Sequence, residues 1–346
     1  MSTITRPEKS TNVRPQKPAP SRLPLSLTAT RTGLRLLAPH APNLAAGIAE
    51  RLYETPRRHA RPQAERDTLA TARRVNVPFR EAHLPVWVWS PAHVGREPAP
   101  VALLVHGWEG RGSQLRAFVD PLVARGFCVV AWDAPAHGDA PGSRCTVLDM
   151  AAAAARVAAY CGAAPRGTSD AGVTPAAVVI AHSLGVAASL TATQFGLRAA
   201  RFALVAPPAG PTRFLSQFEH VLGLDPALVE RMVGRIEDRL GFRWSEIDFA
   251  RDASRRSEPA LFVHDADDRE VPLEDGAAIA DRWPGARMLK TSGLGHRRVL
   301  RDPAVVREIV EFAAAGAPEL VPSPRFEDTL EGELFDPSRR RRPRAA

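Results

Sequence analysis

Val178-Val179-Ile180-Ala181-His182-Ser183-Leu184-Gly185-Val186-Ala187 joins an apolar run to a serine and a helical segment. Its first four residues are apolar without polar alternation, which predicts a strand buried on both faces. Ser183 follows, flanked at ±2 by the small residues Ala181 and Gly185, and an apolar helical segment comes next. A sharp strand-to-helix turn needs small neighbours because the backbone crowds there. Such a turn lifts the serine hydroxyl above the sheet, near the positive end of the following helix. The same stretch lies inside the longest uncharged run, Ala171 to Leu197. A membrane-spanning helix needs about 20 predominantly apolar residues. Pro175, His182, Ser183, Gly185, Thr191, Thr193 and Gln194 interrupt this run, so it predicts strand, turn and helix and no membrane span.

On either side, further apolar runs lie at Val101–Val105, Phe127–Trp132, Phe202–Val205 and Ala260–Val263, with a weaker one at Arg287–Leu289. Helical spacing falls between them, at about 113–125, 147–161, 184–196, 273–283 and 303–315. Thr146 with Asp149 three residues on has the form of a capping box before the helix at 147. This alternation predicts an α/β protein with a mostly parallel sheet. Upstream, 75–79 and 83–89 look like two antiparallel strands, with Val86 and Val88 alternating against Trp87 and Trp89. Residues 43–53 fit an amphipathic helix with Leu44, Ile48 and Leu52 on one face. Residues 211–257 fall between two core strands but have only helical spacing, through Phe214, Phe218, Val221 and Leu222 and then Val229, Met232, Val233 and Ile236. An excursion of that length predicts a helical cap, not a loop. The expected organisation is a disordered basic tail at 1–31, an N-terminal helical extension at 32–74, a core at 75–210 and 258–316, the cap at 211–257 and a C-terminal tail at 317–346.

The chain has 346 residues and a formal charge of +8, which would suggest nucleic acid if it were spread over a face. It is not. Residues 1–31 carry Arg6, Lys9, Arg14, Lys17, Arg22 and Arg31 against Glu8, and residues 332–346 carry Arg339, Arg340, Arg341, Arg342 and Arg344 against Glu333 and Asp336. Those ends hold the whole excess, so the body is not a basic binding surface and no nucleic-acid partner is expected. Three cysteines, Cys128, Cys145 and Cys161, form no CxxC. With no secretory pattern in the first thirty residues, they suit a reducing, cytoplasmic setting. Neither HExxH nor Cys/His pairing at ligand spacing occurs, and neither a dinucleotide fingerprint nor a P-loop, so no metal and no cofactor are expected.

Four other motifs stand in order around Ser183. His106-Gly107-Trp108 follows the strand at 101–105. Asp133-Ala134-Pro135-Ala136-His137-Gly138 follows the next strand. Val263-His264-Asp265-Ala266-Asp267-Asp268-Arg269-Glu270-Val271-Pro272 and then Gly295-His296 follow the last two. Together with the serine turn they resemble the α/β-hydrolase superfamily, in its serine esterase or lipase-like form, over roughly 75–316. The family's G-x-S-x-G has Ala181 in its first place here. Its D-x-x-G-x-G has Ala136, and its V-x-G-x-x-D-x-x-V-P has Asp265 where glycine is usual. The resemblance implies an α/β-hydrolase sheet, mostly parallel and of about eight strands, flanked by helices with a helical cap insertion.

The chemistry of such a site needs these residue types. A serine hydroxyl is a weak nucleophile until a base takes its proton, and a carboxylate holds the base in the right tautomer. Ser183, His296 and Asp268 are the expected catalytic residues. Asp265 and Asp267 crowd the same loop, and the sequence alone could support any of the three; the resemblance implies Asp268, which stands three residues before Val271 where the family has its acid. The resemblance implies an oxyanion hole from the backbone N–H groups of Trp108 and Leu184. His106 is expected to brace that turn. His182 should be structural with its side chain pointing elsewhere, His137 exposed-loop material and His264 a satisfied core residue. Glu109 is a candidate for meeting a cationic substrate group, a solvated loop charge being the plainer reading, and Phe214 and Phe218 are candidate substrate contacts. The expected function is hydrolysis of a small-molecule carboxylic ester or thioester through an acyl-enzyme. Amide hydrolysis and acyl transfer use the same relay, and a catalytically silent binding protein on this fold is the rival that Ala181 and Asp265 leave open.

Overall fold

The computed structural model describes residues 2–3, 25–91, 99–163, 176–210 and 212–315. Its centre is one sheet of strands β1 (Ser2–Thr3), β2 (Arg73–Phe79), β3 (Ala82–Trp89), β4 (Val101–Val105), β5 (Cys128–Trp132), β6 (Val178–His182), β7 (Phe202–Val205), β8 (Ala260–Asp265) and β9 (Arg287–Thr291). The spatial order is β1-β9-β8-β7-β6-β4-β5-β3-β2. β3 is antiparallel to both its neighbours, and all other pairings of the sheet are parallel. The two-residue β1 only lengthens the β9 edge, so the working sheet has eight strands. The chain leaves β4 for β5 on one side and returns to β6 on the other. That reversal opens a crevice at the carboxyl ends of β4 and β6, where ligands of open α/β sheets bind; Ser183 comes directly after β6.

The helices are α1 (Leu25–Leu37), α2 (Pro42–Tyr53), α3 (Gln63–Ala70), α4 (Val119–Ala124), α5 (Val147–Ala158), α6 (Leu184–Ala192), α7 (Thr212–Leu222), α8 (Pro226–Leu240), α9 (Phe249–Ala253), α10 (Leu273–Ala280), α11 (Gly295–Arg298) and α12 (Pro303–Ala314). α5 begins with the expected capping box, Asp149 N–H donating to Thr146 Oγ1 and Thr146 N–H to Asp149. On one face of the sheet, α5 and α6 bury alanine-rich surfaces against Leu103, Val130 and Val179. On the other, α4 and α12 cover Leu104, Val129 and Ile180. β3 shows the principle within a single strand: Val86 and Val88 enter the first layer, Trp87 and Trp89 the second, and all four are buried.

A third apolar cluster lies over the carboxyl ends of the strands. It joins Leu222, Leu228, Met232 and Ile236 of the 212–257 segment to Leu34, Ala45, Ala46 and Ala49 of α1 and α2. The helices of 212–257 and the N-terminal helices α1 and α2 therefore share one apolar cluster. Two sequence expectations change here. Residues 25–31, assigned to a disordered tail, are the first half of α1, and Ser2–Thr3 pairs with β9; residues 4–24 and the tail at 317–346, with Arg339–Arg342, lie outside the described residues. In α2 it is the small face that is buried, while Leu44, Ile48 and Leu52 are exposed. Alanines allow α2 and α8 to approach closely, and the ends are tied by charge. Buried Glu50 and Glu54 meet Arg144 from the core and Arg239 from α8, and Arg235 reaches Glu50 at 3.1 Å. Burial pushes the Glu50 carboxyl up, but its arginine bonds outweigh that and leave it below its ordinary value.

Candidate active site

Ser183 is the N-cap of α6 and holds φ 54°, ψ −126°, a conformation that costs a non-glycine residue about 1–3 kcal/mol. Packing enforces it. A Cβ on Gly185 would stand 2.4 Å from His106 O and 2.7 Å from Val105 O, so the +2 position admits only glycine. Ala181 lies within β6, wholly buried and paired in register with Val105 and Leu204, and its methyl group has room. The family's two small residues thus have different physical reasons here, and only one is a steric necessity.

The turn after β4 presses on the same point. A Cβ on Gly107 would lie 3.0 Å from both Ser183 Cβ and His182 O. Gly110 N–H closes the turn onto Gly107 O at 3.0 Å. Ala134 N–H donates to His106 Nε2 at 3.0 Å, so the His106 proton is on Nδ1 and donates to Gly107 O at 2.7 Å. Burial holds this imidazole neutral, its pKa lowered to about 4. His106 thus pins the carbonyl beside Trp108. Trp108 and Leu184, the first residue of α6, line the cavity above Ser183; the leading N–H groups of a helix have no intrahelical acceptor.

Each of the three crowded aspartates has its own work. Asp268 Oδ2 accepts from His296 Nδ1 at 2.7 Å, and its Oδ1 accepts the N–H groups of Glu270 and Val271 at 2.8 and 2.9 Å. Burial alone would raise its pKa; the His296 bond and the two N–H groups reverse this and hold it below the ordinary carboxylate value. Asp265 receives Gly295 N–H, Leu294 N–H and Thr291 Oγ1–H at 2.9, 3.0 and 2.7 Å, which fastens the histidine loop to β8. This carboxylate is what the family's glycine would lack. Asp267 takes Gly293 N–H at 2.8 Å at the surface.

His296 and Ser183 line one cavity and are 7% and 5% exposed. His182 does not point away. Its Nε2–H donates to His296 O at 2.9 Å and its ring lies 4.6 Å from the His296 ring, so it steadies the histidine from below. His137 is buried, not exposed: Nδ1 donates to Pro135 O, the ring packs edge-on to Trp108 at 5.0 Å, and Nε2 has no partner among the described residues. His264 donates to Val271 O at 2.9 Å through Nε2, but its Nδ1 lacks a partner among the described residues. Glu109 lines the cavity at φ 53°, yet its carboxylate is engaged by Arg57 Nε at 2.9 Å and by Arg57 N–H at 3.2 Å. That pair, like the Arg111–Glu65 bridge at 2.6 Å and the Arg61–Asp133 bridge, stitches the segment after α2 onto the core turns. Sequence reasoning missed these links because each partner is 46–72 residues away.

Phe214 and Phe218 do line the cavity, Phe218 packing edge-on to Tyr53 at 5.1 Å. The space is about 940 Å³, near the top of the roughly 300–1,000 Å³ found for small-molecule sites. Seven aromatic residues line it, a third of the chain's 13 Phe, 6 Trp and 2 Tyr, so the pocket is largely apolar. Among the described residues no cluster of His, Cys, Asp and Glu could hold a metal ion, and no helix is long and apolar enough to cross a membrane.

Among solved structures, an esterase of Pyrococcus furiosus is similar at 16% identity and TM-score 0.56, over 77% of this chain and 98% of that one. A thermophilic esterase from Thermogutta terrifontis with malate bound is similar at 16% and 0.51, over 71% and 100%. The Butyrivibrio proteoclasticus protein Est1E with ferulic acid bound is similar at 16% and 0.51, over 70% and 96%. At such identities these likenesses speak for the fold. No curated protein matches the sequence. The profile of the alpha/beta hydrolase family matches residues 102–309, from β4 through the serine turn and the histidine loop into α12. The sheet order, the strained serine turn and that match together place the chain in the α/β-hydrolase family, among folds shared with esterases.

Proposed function

We propose that this protein is a serine hydrolase of carboxylic esters or thioesters. The observation that carries the reading is the 2.7 Å bond from His296 Nδ1 to shielded Asp268, in the cavity that Ser183 enters from its strained turn. With Nδ1–H committed to Asp268, His296 Nε2 is the free base. Ser183 Oγ attacks the substrate carbonyl as its proton passes to Nε2, and the N–H groups of Leu184 and Trp108 receive the oxyanion. A well-placed donor of this kind is worth about 3–4 kcal/mol to the transition state. The imidazolium then protonates the departing oxygen or sulfur, and an acyl-Ser183 remains. Water, deprotonated by the same Nε2, hydrolyses it.

A fluorophosphonate probe with p-nitrophenyl esters of graded acyl length tests this. Wild type should be labelled and should turn over at least one ester, and Ser183→Ala should do neither while keeping its circular dichroism spectrum. A fully active Ser183→Ala enzyme would sink the mechanism. A wild type that is folded, unlabelled and inactive on every ester would favour the silent binding protein.

A further inference from the structure

Five arginines line the cavity: Arg57, Arg111, Arg116, Arg297 and Arg301. Three are neutralised by carboxylates of the same lining, Arg57 by Glu109 at 2.9 Å, Arg111 by Glu65 at 2.6 Å and Arg297 by Glu270 at 3.2 Å. The remaining carboxylate of the lining, Glu54, is held by Arg144 and Arg239 from outside it. No acid of the cavity is left without a cation. Arg116, half-buried, and Arg301, exposed, have no ion pair and no side-chain hydrogen bond among the described residues. They sit on two short turns, Gly112–Phe118 and Val299–Arg301, that pack on one another, and the second of these continues directly from α11 and His296. The cap supplies the opposite character through Phe218, Ile236, Leu240, Phe242 and Trp244.

We propose that the substrate is amphiphilic: an apolar acyl group lies under the cap, and the alcohol or thiol half carries an anionic group, carboxylate or phosphate, held by Arg116 and Arg301. This rests on the serine-hydrolase reading above. The side of the anion follows from the chemistry. His296 must protonate the leaving oxygen or sulfur, so that half departs along His296, and the chain from His296 runs straight to Arg301. Two guanidiniums without an ion pair among the described residues keep their hydrogen-bonding forks for an incoming anion. Two charge-assisted contacts in a partly exposed place, about threefold each, together give a selectivity of about tenfold.

The test compares phenyl hexanoate, 4-carboxyphenyl hexanoate and 4-(phosphonooxy)phenyl hexanoate, each kcat/KM divided by that ester's rate of hydroxide hydrolysis. In wild type at low salt the anionic-to-neutral ratio should be about ten or more for at least one anion, and should fall as salt is added. Whichever anionic ester gives the larger ratio names the anion. In Arg116→Gln/Arg301→Gln the ratio should fall to about one. Should the double variant fail to fold, Arg301→Gln alone should lower the ratio about threefold. A ratio near one in wild type, or one unchanged in the variants, overturns the inference while leaving the hydrolase reading intact. Failure of every ester together with absent fluorophosphonate labelling overturns the hydrolase reading instead.

Discussion

Asp268→Asn separates the roles of three neighbouring carboxylates. The backbone decides how the new amide sits. Oδ1 of Asp268 accepts two N–H groups, Glu270 at 2.8 Å and Val271 at 2.9 Å, so the amide oxygen of asparagine must take that place. Its NH₂ then faces His296 Nδ1, where Oδ2 now accepts at 2.7 Å. A donor there forces Nδ1 to accept, which puts the proton on Nε2 and removes the base. The corresponding wrong-tautomer change in a serine protease lowers kcat about 10⁴-fold, or about 5 kcal/mol of barrier. Because both backbone bonds survive, the fold should survive too. The assay is steady-state kcat on the best p-nitrophenyl ester, with unfolding curves for both proteins. Asp267→Asn, which disturbs one surface bond to Gly293, should change kcat no more than about threefold. A loss below tenfold in Asp268→Asn, or an equal loss in Asp267→Asn, would refute the assignment.

Gly185→Ala should cost about 1–3 kcal/mol and several degrees of Tm, since its methyl group would meet backbone oxygens at 2.4 and 2.7 Å. Ala181→Gly should cost at most about 1 kcal/mol, so equal losses in the two variants would mean the turn is built otherwise. Stability should fall on acidification below about pH 6.5, because burial lowers the pKa of His106 to about 4 and of His137 and His182 to about 3. The unfolded chain binds protons that the native state refuses between those values, so the stabilisation is complete above about pH 6.5 and is lost as pH drops toward 3–4, about 2 kcal/mol per histidine by pH 5. In His137→Gln the loss between pH 7 and pH 5 should be smaller by about that amount in urea unfolding, and an undiminished loss would show that His137 does not titrate this way.

The sheet, the order of motifs along it and the serine turn are legible in the residues alone. Buried parallel strands have to be unbroken apolar runs, and a strand-to-helix turn has to be flanked by small residues, so both constraints are written locally at 101–105, 178–187 and 260–265. The capping box at Thr146 is local for the same reason, needing only side chain and backbone three residues apart. Questions that depend on a distant partner are answered only once the chain is folded. Asp265, Asp267 and Asp268 are alike in sequence and are told apart only by which N–H groups of 270–271 and 293–295 reach them. Glu109 looks like a free loop charge until Arg57 is brought across the turn. The apolar stripe of α2 reads as its inner face, yet close contact with α8 and the burial of Glu50 and Glu54 favour the alanine side, because the arginines that neutralise those glutamates come from α8 and from Arg144. Periodicity reports how apolar a face is. Which face is covered depends on the shape and charge of what arrives to cover it, and that information is spread over the rest of the chain.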